Sequence, residues 1–224
     1  MSGRERILAA AVRRIAREGI DGVRIARIAM DAAVSPALVH YHFATREALL
    51  AEALDYSYNH AEQRRISSGS EQASSHAERL DSMLEGCLPT SRELRDDWLL
   101  WVELWHQAAR NEQLRPIAGE LYSRLHAWFA GEIAAGVTAG EFSRCDPDEV
   151  ADRILALLDG VGVRAIIGDP QMSLARARQT VRAAVAQELG VSLGEPVARG
   201  RFASAEPAPE KVGAQPGVRA PRLG

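Results

Sequence analysis

The chain has 224 residues, 46% hydrophobic and 25% charged, enough for a sizeable core in one or two domains of an ordinary globular protein. Its formal net charge of −3 excludes a protein that binds nucleic acid over its whole surface. The charge is uneven, however: residues 1–46 hold eight arginines against four acids, Glu5, Glu18, Asp21 and Asp31. A small basic end on a mildly acidic body suits docking of that end onto a polyanion. Cys87 and Cys145 lie far apart and form neither a metal-binding spacing nor a disulfide framework. No segment reads as a secretion signal or reaches the run of about 18 apolar residues that a membrane span needs. A cytoplasmic protein without a membrane partner is therefore expected.

Ala, Leu, Glu and Arg dominate the first 190 residues, and these strong helix formers put an all-α fold ahead, with about nine helices. Ile7, Leu8, Ala11, Val12, Ile15 and Ala16 repeat with helical period, and Gly19 supplies a stop. Ile25, Ile28, Ala29 and Ala32 predict a second amphipathic helix. Ser35-Pro36 is an N-cap followed by proline at the first helical position, so a short third helix is predicted over about 36–42. Thr45 is placed to cap a fourth, with Leu49, Leu50, Ala53 and Leu54 on its inner face. After a polar break at 67–75, helical pattern resumes with interruptions near Pro89, Pro116 and Gly140. Asp146-Pro147-Asp148-Glu149 predicts a helix start, in which Glu149 is placed to bond back to the cap. The helix it opens is very apolar, and Gly168-Asp169-Pro170 ends it. A last helix is expected over about 173–189, with Leu174, Ala177, Val181 and Ala184 near heptad spacing. Both helices are expected to pair with their twofold mates in a homodimer. Residues 191–224 hold five of the ten prolines and five glycines, and composition predicts a disordered tail there.

The informative stretch is residues 25–46, IARIAMDAAVSPALVHYHFATR. A helix, a tight turn and a short capped helix suit insertion of the second helix into a DNA major groove. Tyr41 and His42 sit at its far end, where hydroxyl and imidazole reach phosphate oxygens, and Arg46 brings a fixed positive charge to the same backbone. This string resembles the DNA-binding domain of the TetR family of repressors, whose pattern runs roughly I-A-x-x-A-G-V-S-x-x-x-x-Y-x-H-F-x-x-K-x-x-L. Ile28, Ala29, Ala32, Val34, Ser35, His42, Phe43 and Leu49 match it, and Tyr41 falls one place late. Residues 98–105 and the helix start at Asp146 are similar to the BetI-type C-terminal domain of some members. The family's glycine at the turn is Ala33, which predicts strain if that backbone needs positive φ. Its usual capping Thr is replaced near Arg24, its first aromatic is His40, and its Lys is Arg46.

The resemblance implies an N-terminal three-helix DNA-binding domain at 1–50, a larger helical domain for ligand binding and dimerisation at 51–190, and the tail at 191–224. It implies a repressor that a small molecule releases from palindromic double-stranded DNA. The family's contact positions fall on Arg24, Ser35, Pro36, Ala37, His40, Tyr41, His42 and Arg46. Ala37 and His40 are the base-edge candidates, and the others position the duplex through phosphate. Phe43 is expected in the core.

For the ligand, Trp98, Trp101 and Trp105 share one helical face, which is either core or the aromatic wall of a pocket. With Tyr122 and Asp159 they predict a pocket for an apolar or aromatic effector, or a cationic one with Glu103 and Asp159 as its acids. Asp159 inside an apolar helix faces either that pocket or an Arg across a dimer. An enzyme is not expected: there is no nucleophile elbow, phosphate loop or HExxH. No metal site or cofactor is expected either, since His40 and His42 are two residues apart and point to different sides of a helix. A small helical enzyme and a helical adaptor remain the competing readings. A shift of palindromic DNA separates the regulator from both, and turnover marks the enzyme.

Overall fold

A computed structural model describes residues 2–65, 73–112 and 114–193. Among these are nine helices and no strand: α1 (Gly3–Gly22), α2 (Ile25–Asp31), α3 (Pro36–His42), α4 (Arg46–Arg65), α5 (His76–Gly86), α6 (Arg92–Ala108), α7 (Arg115–Thr138), α8 (Pro147–Ile166) and α9 (Leu174–Leu189). The tail from 194 onward lies outside the described residues, and so does most of the polar break.

The predicted caps are where the helices begin. Ser35 Oγ accepts from Leu38 N at 3.2 Å, Thr45 Oγ1 from Ala48 N at 3.0 Å, and Asp146 Oδ1 from Asp148 N at 3.0 Å. Glu149 instead pairs with Arg153 one turn on, at 3.3 Å. Pro116 opens α7 at its first turn, where a missing N–H costs nothing. Gly19 kinks α1 (φ 65°, ψ 167°), but the helix resumes for three more residues. Gly190 caps α9 with φ 67°.

Two apolar cores organise the chain. The first joins α1–α3 to α4, α6 and the start of α7, through Ile7, Ile28, Val39, Phe43, Leu49, Leu50, Leu54, Leu100, Leu104 and Leu121. It runs across residue 50 without a break because α4 contributes to both sides. The second joins α5, α7, α8 and α9 through Leu80, Phe129, Ile133, Ile154, Leu158, Val181 and Val185. Here one expectation needs correcting. Val181 is fully buried in its own subunit. The inner stripe of α9 is Ala177, Val181, Val185 and Leu189, while Ala184 is exposed. That stripe serves the internal core, so Val181 presents no surface to a second copy.

The helix-turn-helix is braced from α1. Arg14 reaches Asp31 through Nε (2.5 Å) and Nη2 (2.9 Å), and Glu18 through Nη1 (2.5 Å). That guanidinium holds the Asp31 carboxyl below the usual carboxylate range. Arg6 Nε donates to Ala32 O at 3.2 Å, just before the turn. Ala33 has φ 52°, the left-handed conformation the turn demands. A Cβ there costs about 1–2 kcal/mol, and glycine loses part of that gain through its freer unfolded chain. Ala33→Gly is therefore expected to stabilise the protein by about 0.5–1 kcal/mol, read as a raised midpoint in urea at unchanged slope.

Candidate functional site

The first site is the outer face of α3. Ser35, Pro36, Ala37, His40 and Tyr41 are exposed, Tyr41 at 83%, and His42 is half-buried. Val39 and Phe43 are buried beneath them, at 0% and 3%, and hold the helix on the first core. Tyr41 packs edge-on against His42, with ring centroids 5.2 Å apart. Arg24 is exposed at the N-cap of α2 and makes no side-chain capping bond. Arg46 is the first residue of α4, and its side chain lies outside the described part. One short helix thus projects three to four groups outward from a rigid base, the shape that reads a groove. Among the described residues no group of three or more His, Cys, Asp or Glu could hold a metal ion, and no helix is long and apolar enough to cross a membrane.

The second site is a cavity of about 60 Å³, partly open to solvent and lined by residues of α4, α5, α6, α7 and α8. Its aromatic wall is Trp98, Trp101, Trp105 and Tyr122. Trp105 lies nearly parallel to Tyr122 (6.4 Å, 19°) and edge-on to Trp98 (6.0 Å, 74°), while Trp101 tilts against both Trp105 and Tyr122. Trp98 is wedged over Gly162, where any Cβ would lie 2.1 Å from the indole ring, and its Nε1 donates to Cys87 O at 3.0 Å. Trp105 Nε1 is buried with no hydrogen bond of normal geometry.

Two carboxylates face this wall. Asp159 accepts from the Tyr122 hydroxyl at 2.6 Å. Burial pushes its carboxyl above the usual range, and the Tyr122 hydrogen bond pulls back only in part. Burial and then Asp159 raise the Tyr122 phenol far above its ordinary value, with the nearby Trp105 N–H opposing them weakly. Asp97, on α6, accepts from Ser57 Oγ of α4 at 2.6 Å. Aromatic faces with a few carboxylates attract organic cations, which find π density and charge without needing hydrogen bonds.

The structure brings Trp98, Trp101, Trp105, Tyr122 and Asp159 together, but not Glu103. That residue points to the opposite side of α6, where its Oε1 accepts from Gln107 Nε2 at 2.9 Å and its other oxygen lies beside Gly19. Asp97 takes its place as the second acid. Trp128 packs with Phe129 away from the cavity. Ser57 and Tyr58 complete the wall and were not foreseen. On a helical wheel at about 100° per residue, Asp97, Trp98, Trp101 and Trp105 fall within one third of the turn and Glu103 well outside it. That signal was present in the spacing.

Comparison with known proteins agrees with this geometry. Residues 7–53 match the bacterial regulatory proteins of the tetR family, and residues 76–190 the C-terminal domain of BetI-type transcriptional repressors. An HTH-type transcriptional regulator BetI from Brucella canis is 24% identical over 197 residues, 87% of this chain and 94% of that protein. A transcriptional regulator from Saccharomonospora viridis, solved in complex with choline, is 35% identical with a TM-score of 0.74. That match covers 81% of this chain and 94% of that one. A TetR-family regulator from Rhodococcus is 32% identical with a TM-score of 0.77, covering 84% of this chain and all of that one. This chain therefore belongs to the TetR family, with a BetI-type C-terminal domain, and is a DNA-binding transcriptional regulator rather than an enzyme.

Proposed function

We propose that the chain is a repressor released from a palindromic operator by a small organic cation with the chemistry of choline. The observation that carries this is the aromatic cavity with Asp97 and Asp159 on its wall, closed on one side by α4. The choline complex of the Saccharomonospora viridis relative supports the same ligand class. Residues 1–50 form the DNA-binding unit and residues 51–190 the effector and dimerisation unit. α4 links them: Leu49 and Leu50 belong to the core that α4 shares with α1, against which the recognition helix also rests, while Leu54, Ser57 and Tyr58 line the cavity. A cation that draws Asp97 toward itself competes with the Ser57 bond and so acts on α4 directly. Adding choline should quench tryptophan fluorescence and release operator DNA over the same concentration range. Quenching with DNA still bound would refute release.

Reading and holding are separable on the DNA face. His40, one turn into α3, touches a base edge, and Arg46 binds phosphate. His40→Ala should cost about 1–3 kcal/mol on the operator and little on random DNA. Arg46→Ala should weaken all sequences alike and flatten log affinity against log salt by about 0.9. Filter binding across a salt series measures both, and equal losses on both DNAs for His40→Ala would reverse the assignment.

A further inference from the structure

Among the described residues, Trp105 Nε1 is the one side-chain nitrogen or oxygen buried without a hydrogen-bond partner. Buried donors are almost always satisfied, because an unmet one loses its water and gains nothing. The same helix shows the usual solution: Trp98 serves the wall too, and its N–H is spent on Cys87 O at 3.0 Å. Trp105 cannot easily turn to find another partner. Its ring is held by Trp98, Trp101 and Tyr122 together. The Tyr122 oxygen, which donates its own proton to Asp159 at 2.6 Å, lies near enough to feel the Trp105 N–H, but no hydrogen bond joins Trp105 Nε1 to it or to any other described atom.

We infer that Trp105 is a specificity-determining residue whose N–H donates to an oxygen acceptor on the effector. This rests on the reading of the cavity as an effector site, and it narrows the ligand class. The effector is a small organic cation carrying a hydroxyl, ether or carbonyl oxygen a few bonds from its charged centre. An alkylammonium ion of the same size but without that oxygen leaves the indole N–H facing a methyl group. Sites built to hydrogen-bond a ligand reject the analogue that lacks the group, because their own buried partner is left unpaired.

The test is calorimetric titration of the full chain with choline and with propyltrimethylammonium, in which a methyl replaces the hydroxyl. The wild-type protein should bind choline about tenfold more tightly. In Trp105→Phe, which keeps an aromatic ring and removes the donor, the ratio should fall to about one, mainly through weaker choline binding. An unchanged ratio in that variant, or equal affinities in the wild type, overturns the role of Trp105 and leaves the cation site standing. If neither compound binds the wild-type protein, the effector reading itself fails and the inference with it. Should Trp105→Phe not fold, the ¹⁵N-labelled wild type decides. The Trp105 indole proton should move downfield with choline and not with propyltrimethylammonium, and identical responses overturn the inference.

Discussion

Asp159→Asn should weaken choline binding at least about thirtyfold while leaving the melting temperature unchanged or higher. The two effects have opposite signs for one reason. Burial disfavours the ionised carboxyl and pushes its pKa up, so the negative charge is a cost to the fold. The amide keeps an acceptor for the Tyr122 hydroxyl, so the bond at 2.6 Å survives. Only the charge opposite the ligand disappears. Losing one partner of a desolvated charge pair costs about 2–5 kcal/mol in binding; the low end is used because Asp159 is only half-buried. The raised pKa adds a pH signature. Below it the carboxyl is protonated and neutral, so choline affinity should fall as pH drops through that range and level off above it. In Asp159→Asn this slope should vanish. Titrations from about pH 8 down to about pH 3.5 span the raised and the ordinary carboxylate ranges. A slope that persists in the variant would move the titrating group elsewhere, with Asp97 next to be tested.

Gly160→Arg should convert the protein to a monomer and cost about 10²- to 10⁴-fold in operator affinity, because each half-site would then be held by one head alone. The outer face of α8 motivates this. Ala156 and Gly160 are exposed, and Ile167 is 71% exposed just beyond the helix end. Ala175 and Ala183 are likewise exposed on α9, and such small side chains let the helices of a twofold-related copy approach closely. A Cβ on Gly160 meets nothing within the subunit, so the substitution does not damage the protomer's packing, and arginine is the better helix former. Val181→Asp would instead bury an unpaired charge inside the second core and unfold the chain. Sedimentation velocity reads the change in mass, and circular dichroism checks that helix content is kept. A variant that remains dimeric with unchanged operator affinity would place the dimer contact on other helices.

The errors in reading the sequence share a cause. Glu103 and Asp97 both flank the tryptophan stripe, and proximity along the chain favoured Glu103; only the angular position on α6 separates them. The α9 stripe was correctly apolar, yet periodicity says that a face is buried and not against what. In this fold the partner of Val181 is its own subunit. The unpaired Trp105 N–H has no sequence signature, because it depends on three aromatic rings from two helices closing around it.

What the sequence determined by itself is everything set by local chemistry. Helix starts follow from Ser35-Pro36, Thr45 and Asp146-Pro147, since a cap and a proline act on backbone groups within one turn. The exposed reading face of α3 follows from its flanking motif, and the strain at Ala33 from the turn alone. Tertiary structure decided what depends on residues distant in the chain. It carried the first core through α4, so that one helix both shares the core beneath the recognition helix and lines the cavity. It selected Asp97 and Asp159 as the acids of the cavity and brought Ser57, 40 residues away, against Asp97. The physical reason is that caps and turns are settled by near neighbours, whereas a cavity is the space left where five helices fail to fill one another's grooves.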